Sequence, residues 1–176
     1  MLNIKYKNEC WGIIPARGGS KTIPLKNMVS LNGKPLIDYV IKVAKNCEQL
    51  DRIICSTENE KIASFCLANG IEVHRRPKEL SGDQVHVVDV LVNLLKDYAL
   101  NNNQLPDFIV LLQPTSPFVL PEHIQKCISN LKKDKRAKSA QTITTFPHNF
   151  HAYNQRVIEE GYVTFKFVEE KKAFWT

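Results

Sequence analysis

No cysteine of this chain stands in a C-x-x-C pair. The five present (Cys10, Cys47, Cys55, Cys66 and Cys127) are an odd number, set mostly among apolar residues. That pattern excludes a disulfide framework, argues against a zinc site, and predicts reduced thiols in a cytoplasmic core. The N-terminus, MLNIKYKNEC, lacks an apolar signal region, and no stretch approaches membrane-spanning length. The expectation is a soluble, cytoplasmic protein with no membrane partner. Neither GxxxxGK[ST] nor GxGxxG occurs, which removes the P-loop and the dinucleotide fingerprint. No serine has a G-x-S-x-G context and no cysteine a nucleophile context, so serine or cysteine hydrolysis is not indicated. A basic stripe with interleaved aromatics is missing too. The formal charge of +6 comes from 24 Lys and Arg against 18 Asp and Glu, spread along the chain. An anionic small ligand fits that balance; a nucleic-acid partner does not. The densest basic patch, Lys132 to Lys138, reads as a solvated helix end.

What is present fits one domain with one sizeable core: 176 residues, 43% hydrophobic and 24% charged. The chain is organised around Trp11 to Asn27, WGIIPARGGSKTIPLKN. An apolar strand (11–14) breaks at Pro15 and opens into a loop with three cations: Arg17, Lys21 and Lys26. Gly18, Gly19 and Ser20 separate the first two. Glycines admit close approach of backbone N–H groups to an anion, and clustered cations neutralise it. A phosphate cradle is therefore expected, against the blander reading of surface lysines on a solvated loop. Arg17 offers a planar fork for bidentate contact; the lysines are mobile point charges.

Further along, Asn32-Gly33 marks a turn, and Pro35 opens a helix with Leu36, Ile37, Val40, Ile41 and Ala44 at helical spacing. A strand is expected over 52–55. Thr57 and Glu60 form a T-x-x-E capping box for a helix that Gly70 stops. A third strand covers 71–74 and a polar loop 75–83. Asp83 is placed as the N-cap of a helix whose apolar positions include Val88, Leu91, Val92 and Leu95. Asn101 to Asn103 reads as a linker turn. Phe108 to Leu112 is a continuous apolar run that predicts a central strand. Pro121 opens another helix, with Ile124, Ile128 and Leu131 inward, and 139–144 is strand-like. Strands alternating with helices imply an α/β protein with a mostly parallel sheet covered on both faces. Ligands then bind at the carboxyl ends of the strands, the edge where the loops after Ile14 and Leu112 lie.

Two more features invite a role. Arg75-Arg76 follows a strand, so it is either surface charge or a second contact to a nucleotide. Gln113 directly follows an apolar strand, where its amide can hold a polar ligand or cap a backbone group. His148 and His151, beside Pro147, read as loop histidines rather than a zinc site. Val157 to Val168 reads as a hairpin around Glu160-Gly161, with Phe165 and Phe167 on one face. The nucleotide-binding α/β domain is expected over 1–145. Residues 146–176 are read as a separate segment that ends abruptly with Phe174 and Trp175, truncated or partner-bound.

Taken in order, IIPARGGSK (13–21), PLKN (24–27), LNGKPLIDYVI (31–41), ICSTENEKIA (54–63), RRPKELSGD (75–83) and LLQPTSP (111–117) resemble the CMP-sialic acid synthetases, or acylneuraminate cytidylyltransferases. The resemblance runs over about residues 10–145, and its specificity lies in ARGGSK, PLKN and QPTSP together. It implies a Rossmann-like sheet of the nucleotide-diphospho-sugar transferase type. The implied reaction is attack by the anomeric hydroxyl of a nonulosonic acid on the α-phosphate of CTP, with loss of pyrophosphate. Arg17 and Lys21 are implied to act on the reacting phosphates. Arg17, Gly18, Ser20, Lys21 and Lys26 match positions around the triphosphate, and Asn27 and Arg76 positions at the nucleoside. Gln113, Thr115 and Ser116 match the sugar-acid pocket. QPTSP stands where the Kdo-specific branch carries Q-G-D-E-P, which favours the sialate branch.

The resemblance also implies a magnesium ion and a homodimer with an arm that starts within 146–176, at the hairpin from Val157 and Phe174-Trp175; the alternative is a local cover over the sheet edge. Family chains carry the acidic pair for that metal beyond the stretch matched here, so no metal ligand is assigned within residues 1–176; Glu58 and Asp83 are the nearest carboxylates. Where family members often place a small hydroxyl residue after Asp83, this chain has Gln84-Val85-His86-Val87. Two competing expectations stand beside the enzyme: a truncated or non-catalytic CTP-binding protein of the same fold, and a sugar-1-phosphate nucleotidyltransferase using another base.

Overall fold

The computed structural model describes residues 5–6, 8–143, 156–160 and 162–167. In chain order these form β1 (Lys5–Tyr6), β2 (Cys10–Pro15), β3 (Ser30–Leu31), β4 (Lys34–Pro35), α1 (Leu36–Lys45), β5 (Arg52–Thr57), α2 (Glu60–Ala68), β6 (Glu72–Arg75), α3 (Val87–Asn102), β7 (Gln104–Leu105), β8 (Phe108–Leu111), α4 (Pro121–Lys133), β9 (Arg156–Glu159) and β10 (Tyr162–Phe165). The chain divides into two compact units, Met1–Ala140 and Gln141–Thr176.

The first unit is built on a four-stranded, all-parallel sheet in the order β6-β5-β2-β8. β2 is its centre because its side chains are apolar on both faces. Alternation along the strand sends Trp11 and Ile13 one way and Cys10 and Ile14 the other. Trp11 and Ile13 join Ile54 and the α3 residues Leu91, Leu94 and Tyr98. Cys10, Ile14 and Cys55 join the apolar faces of α1, α2 and α4. Helices thus cover both faces, as the alternation of elements requires. Burying Trp11, Ile13, Ile14 and Ile54 completely contributes about 1.5–3 kcal/mol for each aliphatic side chain and more for the indole.

Several local expectations hold for local reasons. β3 and β4 form a tight antiparallel pair in which Asn32 and Gly33 both take positive φ, the conformation an Asn-Gly turn adopts readily. Gly70, at φ 68°, ends α2. Its N–H bonds Leu67 O and that of Ile71 bonds Cys66 O, which satisfies carbonyls the last turn would otherwise leave open. Within the second unit β9 and β10 pair as a hairpin, with Glu159 opposite Tyr162.

Others are corrected. The N-cap of α2 is Asn59, whose Oδ1 accepts the N–H groups of Lys61 and Ile62; Thr57 Oγ1 instead accepts the N–H of Asn59. No Thr57–Glu60 capping box forms, because the helix starts at Glu60. α3 begins at Val87, so Asp83 is no cap, and its inner face is Val90, Leu91, Leu94 and Tyr98. Val88 and Val92 face outward, 60% and 42% exposed, against the expectation for them. The Asn101–Asn103 turn is the end of that helix, closed by Asn103 in the left-handed region. β8 is an end strand of the sheet among the described residues, not a central one, and Ile109 and Leu111 are partly exposed. Residues 139–143 form no strand. The expectations for Thr144, the 146–151 loop, the face of Phe165, Gly161, Val168 and Phe174-Trp175 lie outside the described residues or side chains.

Candidate functional site

The parallel sheet reverses its direction of winding at β2. β5 and β6 follow on one side of it, and β8 lies on the other. Loops leaving the carboxyl ends of β2 and β8 therefore diverge and leave a crevice between them. A cavity of about 260 Å³ occupies that crevice. Arg17, Gly19 and Ser20 reach it from the loop after β2, and Lys26 and Asn27 from a 3-10 turn at the far end of the same loop. Arg76 and Asp83 enter from the segment after β6, and Gln113 and Thr115 from the turn after β8. Seven of the residues picked from the sequence thus share one cavity: Arg17, Ser20, Lys26, Asn27, Arg76, Gln113 and Thr115.

Three others do not line it. Gly18 lies behind the loop, packed on Asn59: a Cβ there would meet Asn59 Nδ2 at 2.5 Å. Lys21 is largely exposed and points to Asp83. Ser116 closes a turn, its N–H bonding Gln113 O at 3.0 Å, and lies on the surface.

The loop is held by specific bonds. Asn27, buried, donates from Nδ2 to Arg17 O at 2.9 Å and ties the two ends of the loop together. Leu25 precedes the 3-10 turn in the left-handed region, φ 48°, while its side chain packs on the main core. A leucine in that conformation costs about 1 kcal/mol or more, and the bond from Met28 N–H to Leu25 O helps hold it. This bend is what turns Lys26 and Asn27 into the crevice.

Arg17, Lys21 and Arg76 are already partnered. Arg17 Nη2 lies 2.8 Å from Asp83 Oδ1, and Arg17 Nη1 donates to Ser81 O at 3.3 Å. Lys21 Nζ lies 3.2 Å from Asp83 Oδ2. The Lys21 contact, with Arg17 beside it, outweighs desolvation and holds the Asp83 carboxyl below its usual range. Arg76 is buried and donates to Glu58 Oε2 at 3.0 Å from Nη2 and 3.3 Å from Nε. Glu58 Oε1 accepts the Gly18 N–H at 2.7 Å. Burial alone would raise the Glu58 carboxyl; hydrogen bonds led by the Gly18 N–H, with the Arg76 charge adding least, overcome it and leave the group below its ordinary value. Lys26 alone among these cations has no carboxylate partner in the described residues. Arg75 pairs with Glu60 on the surface, outside the cavity.

The apolar wall comes from Leu80, Val85, Val87 and Val90. Val85 and Val87, in the stretch after Asp83, present apolar side chains to the cavity and no hydroxyl. Sequence reading did not find the part Glu58 plays, since its partners lie 40 and 18 residues away. The described residues do not fit a magnesium site. No cluster of three or more His, Cys, Asp or Glu exists among them; Asp83, the carboxylate that lines the cavity, is committed to Arg17 and Lys21, and Glu58 behind it to Arg76 and the Gly18 N–H.

A family model described as cytidylyltransferase matches residues 11–165. The chain is 42% identical over 118 residues to the N-acylneuraminate cytidylyltransferase of Streptococcus agalactiae serotype V, covering 66% of this chain and 27% of that protein. It is 37% identical over 132 residues to the pseudaminic acid cytidylyltransferase of Campylobacter jejuni, covering 72% of this chain and 56% of that one. The chain thus spans between about a quarter and just over half of the length of these relatives. A structure of CMP:2-keto-3-deoxy-manno-octonic acid synthetase complexed with CTP superposes with a TM-score of 0.60 at 20% identity, covering 72% of this chain and 48% of that one. At that identity the likeness concerns the fold.

Proposed function

This chain belongs to the cytidylyltransferase family, and on that premise we propose that it is the nucleotide-binding part of an enzyme that transfers CMP from CTP to the anomeric hydroxyl of a sialic-acid-like nonulosonic acid. The observation that carries the reading is the single cavity at the turning point of the sheet. It unites a cationic loop with the buried Arg76 and an amide, Gln113, on the opposite wall. In this reading Arg17, Lys21 and Lys26 hold the triphosphate. Asn27 and Arg76 meet the nucleoside, and Gln113 and Thr115 face the sugar acid. The α-phosphorus gains a bond to the anomeric oxygen, whose proton passes to solvent, and loses its bond to the bridging oxygen of the departing pyrophosphate. Fixed cations beside the phosphates stabilise the charge that shifts onto the leaving group. Magnesium supplies further charge when bound; its ligands are proposed to lie beyond the described residues. QPTSP favours a sialate-type over a Kdo-type acceptor.

Thermal shift against a nucleotide panel tests the base, and preferential stabilisation by CTP is expected. Titration of CTP against Arg17→Ala and Lys21→Ala tests the loop; unchanged affinity in both sinks the phosphate assignment. Single-turnover assays with CTP, magnesium and N-acetylneuraminic, legionaminic and pseudaminic acids separate transfer from mere binding and read the acceptor. Gel filtration at several concentrations checks the proposed homodimer.

A further inference from the structure

One carboxylate joins the walls of the cavity. Glu58 follows β5 and immediately precedes Asn59, the N-cap of α2. Its Oε1 takes the Gly18 N–H from the loop after β2, at 2.7 Å. Its Oε2 takes Nη2 and Nε of Arg76, after β6, at 3.0 and 3.3 Å. The loops of three adjacent strands therefore meet on one side chain. Both partners are sheltered: the Glu58 side chain is 14% exposed and that of Arg76 4%.

The pairing changes what Arg76 offers a ligand. A guanidinium has its donors in a fixed fork, and here the Nε side and one position on Nη2 are committed. The remaining donors are available, but the positive charge is compensated at close range. A compensated guanidinium attracts phosphate weakly, because that attraction is carried by net charge. It still donates well to a carbonyl or hydroxyl, where direction matters more than charge. The cavity is therefore polarised, with net positive charge at Lys26 and neutralised donors at Arg76.

We propose that Glu58 is a positioning residue that sets ligand specificity. By compensating Arg76 and pinning Gly18, it reserves Arg76 for the uncharged part of a nucleotide and keeps the phosphates on the Arg17–Lys26 side. This rests on the CTP-binding reading above. Glu58 meets no ligand itself; it acts through Arg76 and the loop.

Isothermal titration of the full chain with CTP and with inorganic tripolyphosphate tests this. The unaltered chain binds CTP more tightly than tripolyphosphate. In Glu58→Gln the shape is kept and the charge removed. CTP affinity falls by about tenfold while tripolyphosphate affinity holds or rises, since Arg76 becomes a free cation. In Glu58→Asp the charge stays but the carboxylate retracts by one methylene; CTP weakens and tripolyphosphate holds. This second variant carries the test where Glu58→Gln fails to fold. Equal weakening of both ligands, the mark of a merely structural role, overturns the proposal, and so does no change in either. An unaltered chain that does not prefer CTP to tripolyphosphate overturns the nucleotide reading itself, and the proposal with it.

Discussion

The Asp83 carboxylate lies 2.8 Å from Arg17 Nη2 and, through its other oxygen, 3.2 Å from Lys21 Nζ. An anion belonging to the protein thus occupies the cationic loop before any phosphate arrives. A triphosphate has to displace it or share the cations with it. Asp83→Asn frees both cations without changing shape. Its expected effect is a gain of about threefold to tenfold in CTP and tripolyphosphate affinity at low ionic strength, shrinking at high salt as exposed charges are screened. Calorimetric titration at two salt concentrations checks this. A variant that binds either anion more weakly would show that Asp83 assists the ligand.

Gly18 and Gly19 are adjacent but differ in what they require. A Cβ on Gly18 would stand 2.5 Å from Asn59 Nδ2 and 2.9 Å from Asn59 Cβ, displacing the residue that caps α2. Gly18→Ala is expected to cost about 1–3 kcal/mol through overpacking, with loss of the cap included. A Cβ on Gly19 would meet nothing within 4 Å, and the residue has no positive φ. Gly19→Ala is expected to leave stability within about 0.5 kcal/mol while weakening CTP binding, because its methyl enters the mouth of the cavity. Urea denaturation of the two variants, each with and without CTP, separates the effects. Equal destabilisation in both would contradict the assigned packing.

Much of this architecture is local in origin and was legible for that reason. The apolar run 11–14, the Asn32-Gly33 turn, the Gly70 stop and the Pro121 start each state their conformation within a few residues, and each stands in the structure. The cationic loop and QPTSP were legible as loops at strand ends, and the parallel order then brings them together. The misses arose where a distant partner decided the outcome. Asp83 resembles a helix cap, but Arg17 and Lys21 claim its carboxylate. T-x-x-E drew the cap of α2 to Thr57, although Asn59 is the stronger capping type and stands directly before the helix. β8 reads as a central strand by apolar content, yet among the described residues it is an end strand, since content does not tell which place in a sheet a strand occupies.

Acid should act through Glu58. Burial works against its charge, but hydrogen bonds led by the Gly18 N–H, with a lesser part from the Arg76 charge, bring the folded-state value below the ordinary 4.5. A depressed carboxyl contributes stability that is complete above its unfolded value and is lost as pH falls through the folded one. The melting temperature of the unaltered chain is therefore expected to fall steeply on acidification below the ordinary value. Glu58→Gln, which has no proton to take up there, should start lower at neutral pH and show a shallower acid limb. Parallel slopes for the two proteins would remove Glu58 from the acid response.

The thiols give a prediction independent of any ligand. Cys10, Cys47, Cys55 and Cys66 are buried, and only Cys127 is partly open. Burial first, with Asp51 and Cys47 adding to it and Lys132 opposing it, pushes the Cys10 thiol up to about 11. Burial likewise raises Cys47. Since the thiolate is the reactive form, the native chain at mildly alkaline pH should release about one equivalent of chromophore quickly from a disulfide reagent, and about five after denaturation. Cys127→Ser should abolish the fast phase. Two or more fast equivalents in the native chain would mean that the core opens on the timescale of the reagent.

Among the loop cations, pairing decides which one a ligand feels most. Lys21 is 72% exposed and shares Asp83 with Arg17, so its charge is screened by water and offset by a carboxylate. Lys26 is half-buried, lines the cavity and has no carboxylate partner in the described residues. The left-handed bend at Leu25 aims it there, held by core packing of the Leu25 side chain and by the Met28 N–H bond to Leu25 O. An unpaired, half-desolvated cation has more to gain from an arriving phosphate than a solvated, paired one. Lys26→Met is therefore expected to cost CTP affinity about tenfold to a hundredfold, and Lys21→Met about threefold or less. Lys26→Met should leave the ligand-free protein equally or slightly more stable, since no ion pair is lost. Titration and thermal melting of both variants read these orders directly, and a larger binding loss at Lys21 would reverse the assignment of the dominant cation.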